Sequence, residues 1–219
     1  MIEKDTLKFL TELSQNNNRE WFDENRGAYI KARDNFRNFV EDLIDEIIDF
    51  DPDLIGIEGK KAIFRLFRDV RFSKNKDPYK TNFGASLSKG GRRSPYAGYY
   101  IHLSPDGNFF GGGSYRPEAA ELKKIRAFIE TNAADLHAIT SDKKFQELFG
   151  SIQGDSLKTA PKGYPKDHPE IELLRMKGFY AMTSLPNADL SKEGLAQKVA
   201  EKLKVMHPLV EFLNEAISQ

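Results

Sequence analysis

Two hydrophobic periodicities follow one another along this chain, and their order limits its fold more than any other feature. Phe22, Tyr29, Phe36, Phe39, Val40, Leu43, Ile44, Ile47 and Ile48 recur at spacings of three, four and seven, which draws one apolar stripe along a helix. From Ala62 to Gly113 the pattern changes to short aromatic and β-branched runs separated by Gly and Pro, which reads as strands. The expected strands are Ala62–Phe67, Asn82–Ser88, Gly98–Ser104 and Asn108–Gly113. Pro105-Asp106-Gly107 joins the last two as a hairpin, since Pro presets one dihedral and Gly accepts positive φ. Alternation in Gly98–Ser104 puts Tyr99, Ile101 and Leu103 on one face and Tyr100, His102 and Ser104 on the other.

Helices flank this block. Thr6 is positioned to cap a helix reaching about Asn16, and the stripe predicts a long helix from Arg19 to Phe50, closed by Asp51-Pro52, with Gly27 as a candidate interruption. Pro117 opens a helix to about Thr131, and a further helix covers Ala134 to Phe149 with a break near Ser141-Asp142. Residues 150–166 read as loop, His168–Met176 as a short helix, and Phe179–Ser184 as a late strand. Ser191 caps a final helical region that Pro208 interrupts and that ends near Ile217. This order predicts an α+β fold. A mainly antiparallel sheet from the central chain packs against a long N-terminal helix and C-terminal helices. The length of 219 residues suits one domain or two small ones, and with no linker in the sequence the expectation is one domain, 1–219.

Composition removes several function classes. The chain has no Cys, hence no disulfide, thiolate metal site or Cys nucleophile. No apolar run approaches the ~18 residues that span a bilayer. Glu3, Lys4, Asp5 and Lys8 make Met1–Leu13 a poor signal peptide, so cytoplasm without membrane association is the expectation. The four His show no metal-ligand spacing, and no motif calls for a cofactor.

The formal net charge is zero, but the charge is segregated. Residues 1–59 hold 7 basic and 15 acidic residues; residues 60–93 hold 11 basic and 2 acidic; residues 94–219 hold 15 and 16. The basic stretch therefore carries +9. Either it packs beside the acidic helical region and is neutralised there, or it lines an anion site. Arg65, Arg68 and Arg71 present forked donors suited to phosphate or carboxylate. Lys76, Tyr79 and Lys80 add cations and a hydroxyl on a segment able to fold over a ligand. Asp69 is the single carboxylate among the arginines, an orienting group first and a base second.

Several of these residues also carry a family resemblance. Asn17-Asn18-Arg19-Glu20-Trp21-Phe22, Phe64-Arg65, Arg68-Asp69-Val70-Arg71-Phe72-Ser73-Lys74-Asn75-Lys76, Pro78-Tyr79-Lys80-Thr81 and Phe83-Gly84-Ala85 resemble a bacterial and fungal family catalogued as domain of unknown function 2461. So do Gly98-Tyr99-Tyr100-Ile101-His102-Leu103, Gly111-Gly112-Gly113, His168-Pro169, Lys177 and Phe179-Tyr180. The likeness covers essentially the whole chain. It implies a single domain of this length and brings no reaction with it.

Gly111-Gly112-Gly113-Ser114 before a helix invites a phosphate-loop reading, but it lacks nucleotide-fingerprint spacing; a strand left bare so that a ring such as Trp21 or Tyr100 packs close is the simpler account. His102 is the candidate general base, beside Tyr100 on its strand face. Three functional readings follow. The first is a binding or catalytic site for a phosphate- or carboxylate-bearing small molecule, held by Arg65, Arg68, Arg71, Lys76, Tyr79 and Lys80, with Asp69 or His102 moving any proton. The second is a nucleic-acid-binding module using the same cations. The third is an interaction or scaffold domain with a structural Arg–Asp network.

Overall fold

The computed structural model of the chain describes residues 1–219. The N-terminal region forms α1 (Lys4–Gln15), α2 (Arg19–Glu24) and α3 (Arg26–Ile48). The expected single helix from Arg19 is thus two. The break falls at Asn25, whose backbone N–H and side-chain amide both donate to the Trp21 carbonyl, while Gly27 lies inside the first turn of α3. Asn18 caps α2 by accepting from the Trp21 N–H at 2.9 Å. Thr6 does not cap α1: it is buried within the helix, and its hydroxyl donates to Asn35 of α3 at 2.8 Å, tying the two helices together. One face of α3 buries Phe36, Phe39, Val40, Leu43, Ile44 and Ile47.

A 3₁₀ turn (Pro52–Leu54) and α4 (Gly59–Ala62) lead to the sheet. Its strands are β1 (Phe83–Ser88), β2 (Gly98–Leu103), β3 (Asn108–Ser114) and β4 (Phe179–Leu185), in the order β1-β2-β3-β4 and antiparallel throughout. The expected strand Ala62–Phe67 does not form. Its chain meets β1 only through the Ile63–Ala85 bridge and the Phe64 N–H to the Gly84 carbonyl. It then peels away, because its next backbone partners are Pro78 and Lys80 rather than β1.

After β3 come α5 (Ala119–Ser141), α6 (Lys143–Phe149), α7 (Ile171–Arg175), α8 (Asn187–Leu190) and α9 (Leu195–Ser218). The two helices expected over 117–149 meet at a kink at Asn132, whose side chain bonds the Phe128 carbonyl, and the break at Asp142 is a cap on α6. Pro208 does not interrupt α9; it lies on the exposed side of a continuous helix. The fold is α+β. Phe83, Ala85, Leu87, Tyr99, Ile101, Leu103, Phe110, Phe179 and Ala181 bury one sheet face against the helices. At its centre Gly112 admits Met206 of α9: a Cβ there would lie 2.7 Å from Met206 Cγ. No helix is long and apolar enough to cross a membrane.

Candidate functional site

Strand alternation hands the opposite sheet face to a different set of residues. The pairing registers arrange it in rows: Ser88, Gly98, Gly113 and Tyr180; then Ser86, Tyr100, Gly111 and Met182; then Gly84, His102, Phe109 and Ser184. Here the chain forms a cavity of about 920 Å³. Phe64, Lys80, Arg92, Arg93 and Tyr96 wall it beyond β1, and Tyr115, Arg116 and Glu121 wall it beyond β3. A shallower polar groove of about 520 Å³ continues past His102 towards Asp106 and Gly107.

The glycines in these rows are demanded by the backbone. A Cβ at Gly111 would lie 2.0 Å from the Ala181 carbonyl oxygen, and one at Gly113, where φ is +118°, 2.2 Å from that of Phe179. Tyr100 leans over Gly84, where a Cβ would sit 2.7 Å from its hydroxyl. Tyr100 is thus the ring that a glycine admits, at Gly84 and not in the triple-glycine run; Trp21 stacks on Phe9 instead, at 6.0 Å.

Cations dominate the walls. Lys80 Nζ lies 5.4 Å and Arg92 Cζ 5.0 Å from the centre of the Phe64 ring, and Arg92 also donates to the Ile63 carbonyl. Burial lowers the pKa of Lys80, and the charges of Arg65 and Arg92 push it the same way. None of Arg65, Lys80, Arg92, Arg93 and Arg116 forms an ion pair with a carboxylate. At the opposite end, Glu121 keeps Oε2 buried without a hydrogen-bond partner. In the floor, the Tyr100 hydroxyl is 3.1 Å from His102 Nδ1, and the imidazole stacks on Phe109 at 4.4 Å and 10°. Burial lowers the pKa of His102 and raises that of Tyr100, favouring a neutral pair. No three His, Asp or Glu side chains cluster closely enough to hold a metal ion.

The residues singled out in the sequence divide between two places. Arg65, Lys80 and His102 belong to or adjoin the cavity. Asp69, Arg71 and Lys76 are exposed in the neighbouring 68–77 loop, with half-buried Arg68 at its root. Arg68 donates to the Asp77 carbonyl and the Ser73 hydroxyl, Lys76 donates to the Val70 carbonyl, and Arg71 grips Asp69 at 2.6 and 3.0 Å. Those hydrogen bonds lower the pKa of Asp69. Tyr79 is buried, stacked on Phe22 at 4.1 Å, with its backbone held by Asn17 on both sides. The acidic N-terminal helices do not neutralise the arginines. Arg92, Arg93, Arg116 and Tyr115 are not among the sequence candidates, and Phe64 and Tyr180 enter only through the family resemblance; the parity of β2, which exposes Tyr100 with His102, is the sequence pattern that points to this face.

No curated protein and no solved structure matches the chain. The family described as conserved hypothetical protein (DUF2461) matches residues 5–212, a span that takes in the whole cavity and its flanking loop, and the chain belongs to that family.

Proposed function

We propose that the free face of the sheet binds a phosphate- or carboxylate-bearing small molecule. One observation carries this reading: Lys80 and Arg92 both lie against the Phe64 ring at a cavity wall, Arg65 is next to Phe64 in the chain, and no carboxylate pairs with any of the three. A bound anion would relieve the repulsion between these cations, and a concave site of this size suits a small ligand. In this reading Arg65, Lys80 and Arg92 hold the anion, and Arg93 and Arg116 extend the positive rim. Arg68, Arg71 and Lys76 keep the shape of the adjoining loop, Asp69 orients Arg71, and Tyr79 anchors the loop's root. His102, neutral and bonded to Tyr100, is the group placed to take a proton. The test is thermal unfolding with inorganic phosphate and citrate. Both should raise the melting temperature of the wild type, and Lys80→Met should remove the effect. If no phosphate or carboxylate compound raises it, the reading fails.

A second reading, nucleic-acid binding by the basic segment, has one observation of its own. Phe72 is 96% exposed in the loop that holds Arg71, Lys74 and Lys76, as a base-stacking side chain would be. Binding to mixed-sequence DNA or RNA that falls steeply with salt and is lost in Phe72→Ser supports it. The scaffold reading needs arginines buried in carboxylate pairs, and the Arg71–Asp69 pair is exposed.

A further inference from the structure

We infer that the anion taken by the free face is a nucleotide. Its base lies on bare strand backbone at Gly98, Gly111 and Gly113, and its phosphate meets Lys80 and Arg92. The inference rests on the anion-site reading above and adds the ring to it.

Three features of the cavity ask for a planar aromatic body. Gly98 and Gly113 are opposed in register, and Gly111 follows two positions along on the same face. Together they leave a patch of peptide backbone about 5 Å by 7 Å without side chains, one strand spacing by one two-residue step. A ring fits flat on such a patch, which stays free of side chains because a Cβ at any of the three glycines would meet the backbone of the neighbouring strand. Rings border it: Tyr180 pairs with Gly113, and Tyr100 pairs with Gly111 while leaning away over Gly84. Tyr115, more than half exposed, sits edge-on to Tyr180 at 4.9 Å. Finally, the apolar lining is aromatic. Phe64, Tyr96, Tyr100, Phe109, Tyr115 and Tyr180 face the cavity, and Met182 is the single aliphatic side chain beside two prolines. A site built for an aliphatic acid would offer branched aliphatic contacts, whereas π faces reward a base irrespective of its sequence.

The same chemistry arises in a free nucleotide and in one nucleotide of a single strand. Binding is measured on the full chain by calorimetry with AMP, ribose 5-phosphate, inorganic phosphate and a thymidine hexanucleotide. AMP should bind about tenfold or more tightly than ribose 5-phosphate, the size of one stacking contact. Phe109→Leu and Tyr115→Ser should bring that ratio towards one without changing phosphate binding. Tyr115 is exposed, so its variant keeps the test open if Phe109→Leu unfolds. Lys80→Met should weaken all the ligands. Tighter binding of the hexanucleotide, lost in the same two variants, assigns the ring and phosphate to a strand; preference for AMP assigns them to a free nucleotide. Equal binding of AMP and ribose 5-phosphate, with the hexanucleotide insensitive to Tyr115→Ser, overturns the nucleotide inference and leaves the anion site standing. Failure of every ligand, phosphate included, overturns the nucleotide inference, and if citrate also leaves the melting temperature unchanged the anion site falls with it.

Discussion

Removing one oxygen atom from the helix-covered side of the sheet tests how the fold holds its buried charge. Tyr99 is 1% exposed. Its hydroxyl donates to Asp51 Oδ2 at 2.9 Å and lies 2.9 Å from His207 Nδ1. With its single proton committed to Asp51, the oxygen accepts from His207, so one hydroxyl joins the end of α3, β2 and α9. Tyr99→Phe keeps the ring and opens no cavity. It removes a hydrogen bond to a charged group and leaves His207 Nδ1 with only Asp51 Oδ2, 3.7 Å away, so the expected loss is about 2–4 kcal/mol. For a chain of this size that corresponds to a fall in melting temperature of roughly 5–15 °C. The loss has a pH signature. Burial, then the charge of Asp51, raises the pKa of Tyr99 well above the ordinary 10.0. A raised folded pKa gives stability that is fully present below pH 10 and lost as the unfolded tyrosine ionises above it. The other tyrosines shifted upwards are common to both proteins and cancel in the comparison. Denaturant unfolding of wild type and variant, near neutrality and above pH 10, should therefore show a gap that narrows with alkali. A neutral-pH difference under about 0.5 kcal/mol, the range of an uninvolved surface site, would refute the network. A gap that does not narrow would refute the role of Tyr99's ionisation.

Burial lowers the pKa of His102, so its ring should titrate below 6.5 by NMR; its share of stability is present above 6.5 and lost on acidification, and His102→Gln should flatten that acid limb. A midpoint at or above 6.5 contradicts the buried, neutral assignment. Gly111→Ala drives a Cβ to 2.0 Å from the backbone oxygen of Ala181 and should cost about 3 kcal/mol or more, whereas Gly112→Ala meets the side chain of Met206 at Cγ and the Gly98 carbonyl oxygen at 3.0 Å and should cost about 1–3 kcal/mol. Equal losses in chemical denaturation would mean that β3 and β4 separate more easily than their pairing implies. Phe72→Ser should leave stability within about 0.5 kcal/mol, because the ring is 96% exposed; a larger loss would place Phe72 in the core.

Elements whose side chains report their own environment were legible in the sequence. The parity of Tyr99, Ile101 and Leu103 against Tyr100 and His102 appears in β2 as a buried face and a half-open one, and Pro105-Asp106-Gly107 does separate β2 from β3. What depended on the path of the chain was not. Ala62–Phe67 has strand-like residues, but whether such a segment pairs depends on its neighbour, and from Leu66 onward its partners are Pro78 and Lys80. Asn25 ends α2 through two hydrogen bonds to one carbonyl, a local choice that the apolar stripe passes over. The cavity is assembled from the ends of elements far apart in sequence. Arg92 returns over Phe64 after β1, and Arg116 arrives from beyond β3, outside the basic segment altogether.

That assembly changes what the +9 of residues 60–93 means. Within the 68–77 loop, Arg68, Arg71 and Lys76 have partners in the same loop: a carbonyl and a hydroxyl, a carboxylate, and a carbonyl. Their charge shapes a turn that would otherwise have little to hold it, and it requires no ligand. Lys80 and Arg92 pair with no carboxylate, and Arg92 donates to the Ile63 carbonyl outside that loop. They stand at the Phe64 wall of the cavity, where burial, and after it the charges of Arg65 and Arg92, lowers the pKa of Lys80. Eleven cations among residues 60–93 identify a region; the pairing of some with their own loop sets them apart from the few at the cavity wall. Those few lie beside a sheet face kept bare by glycines that the β-ladder itself demands. The constraint that builds the strands therefore also clears the floor of the site.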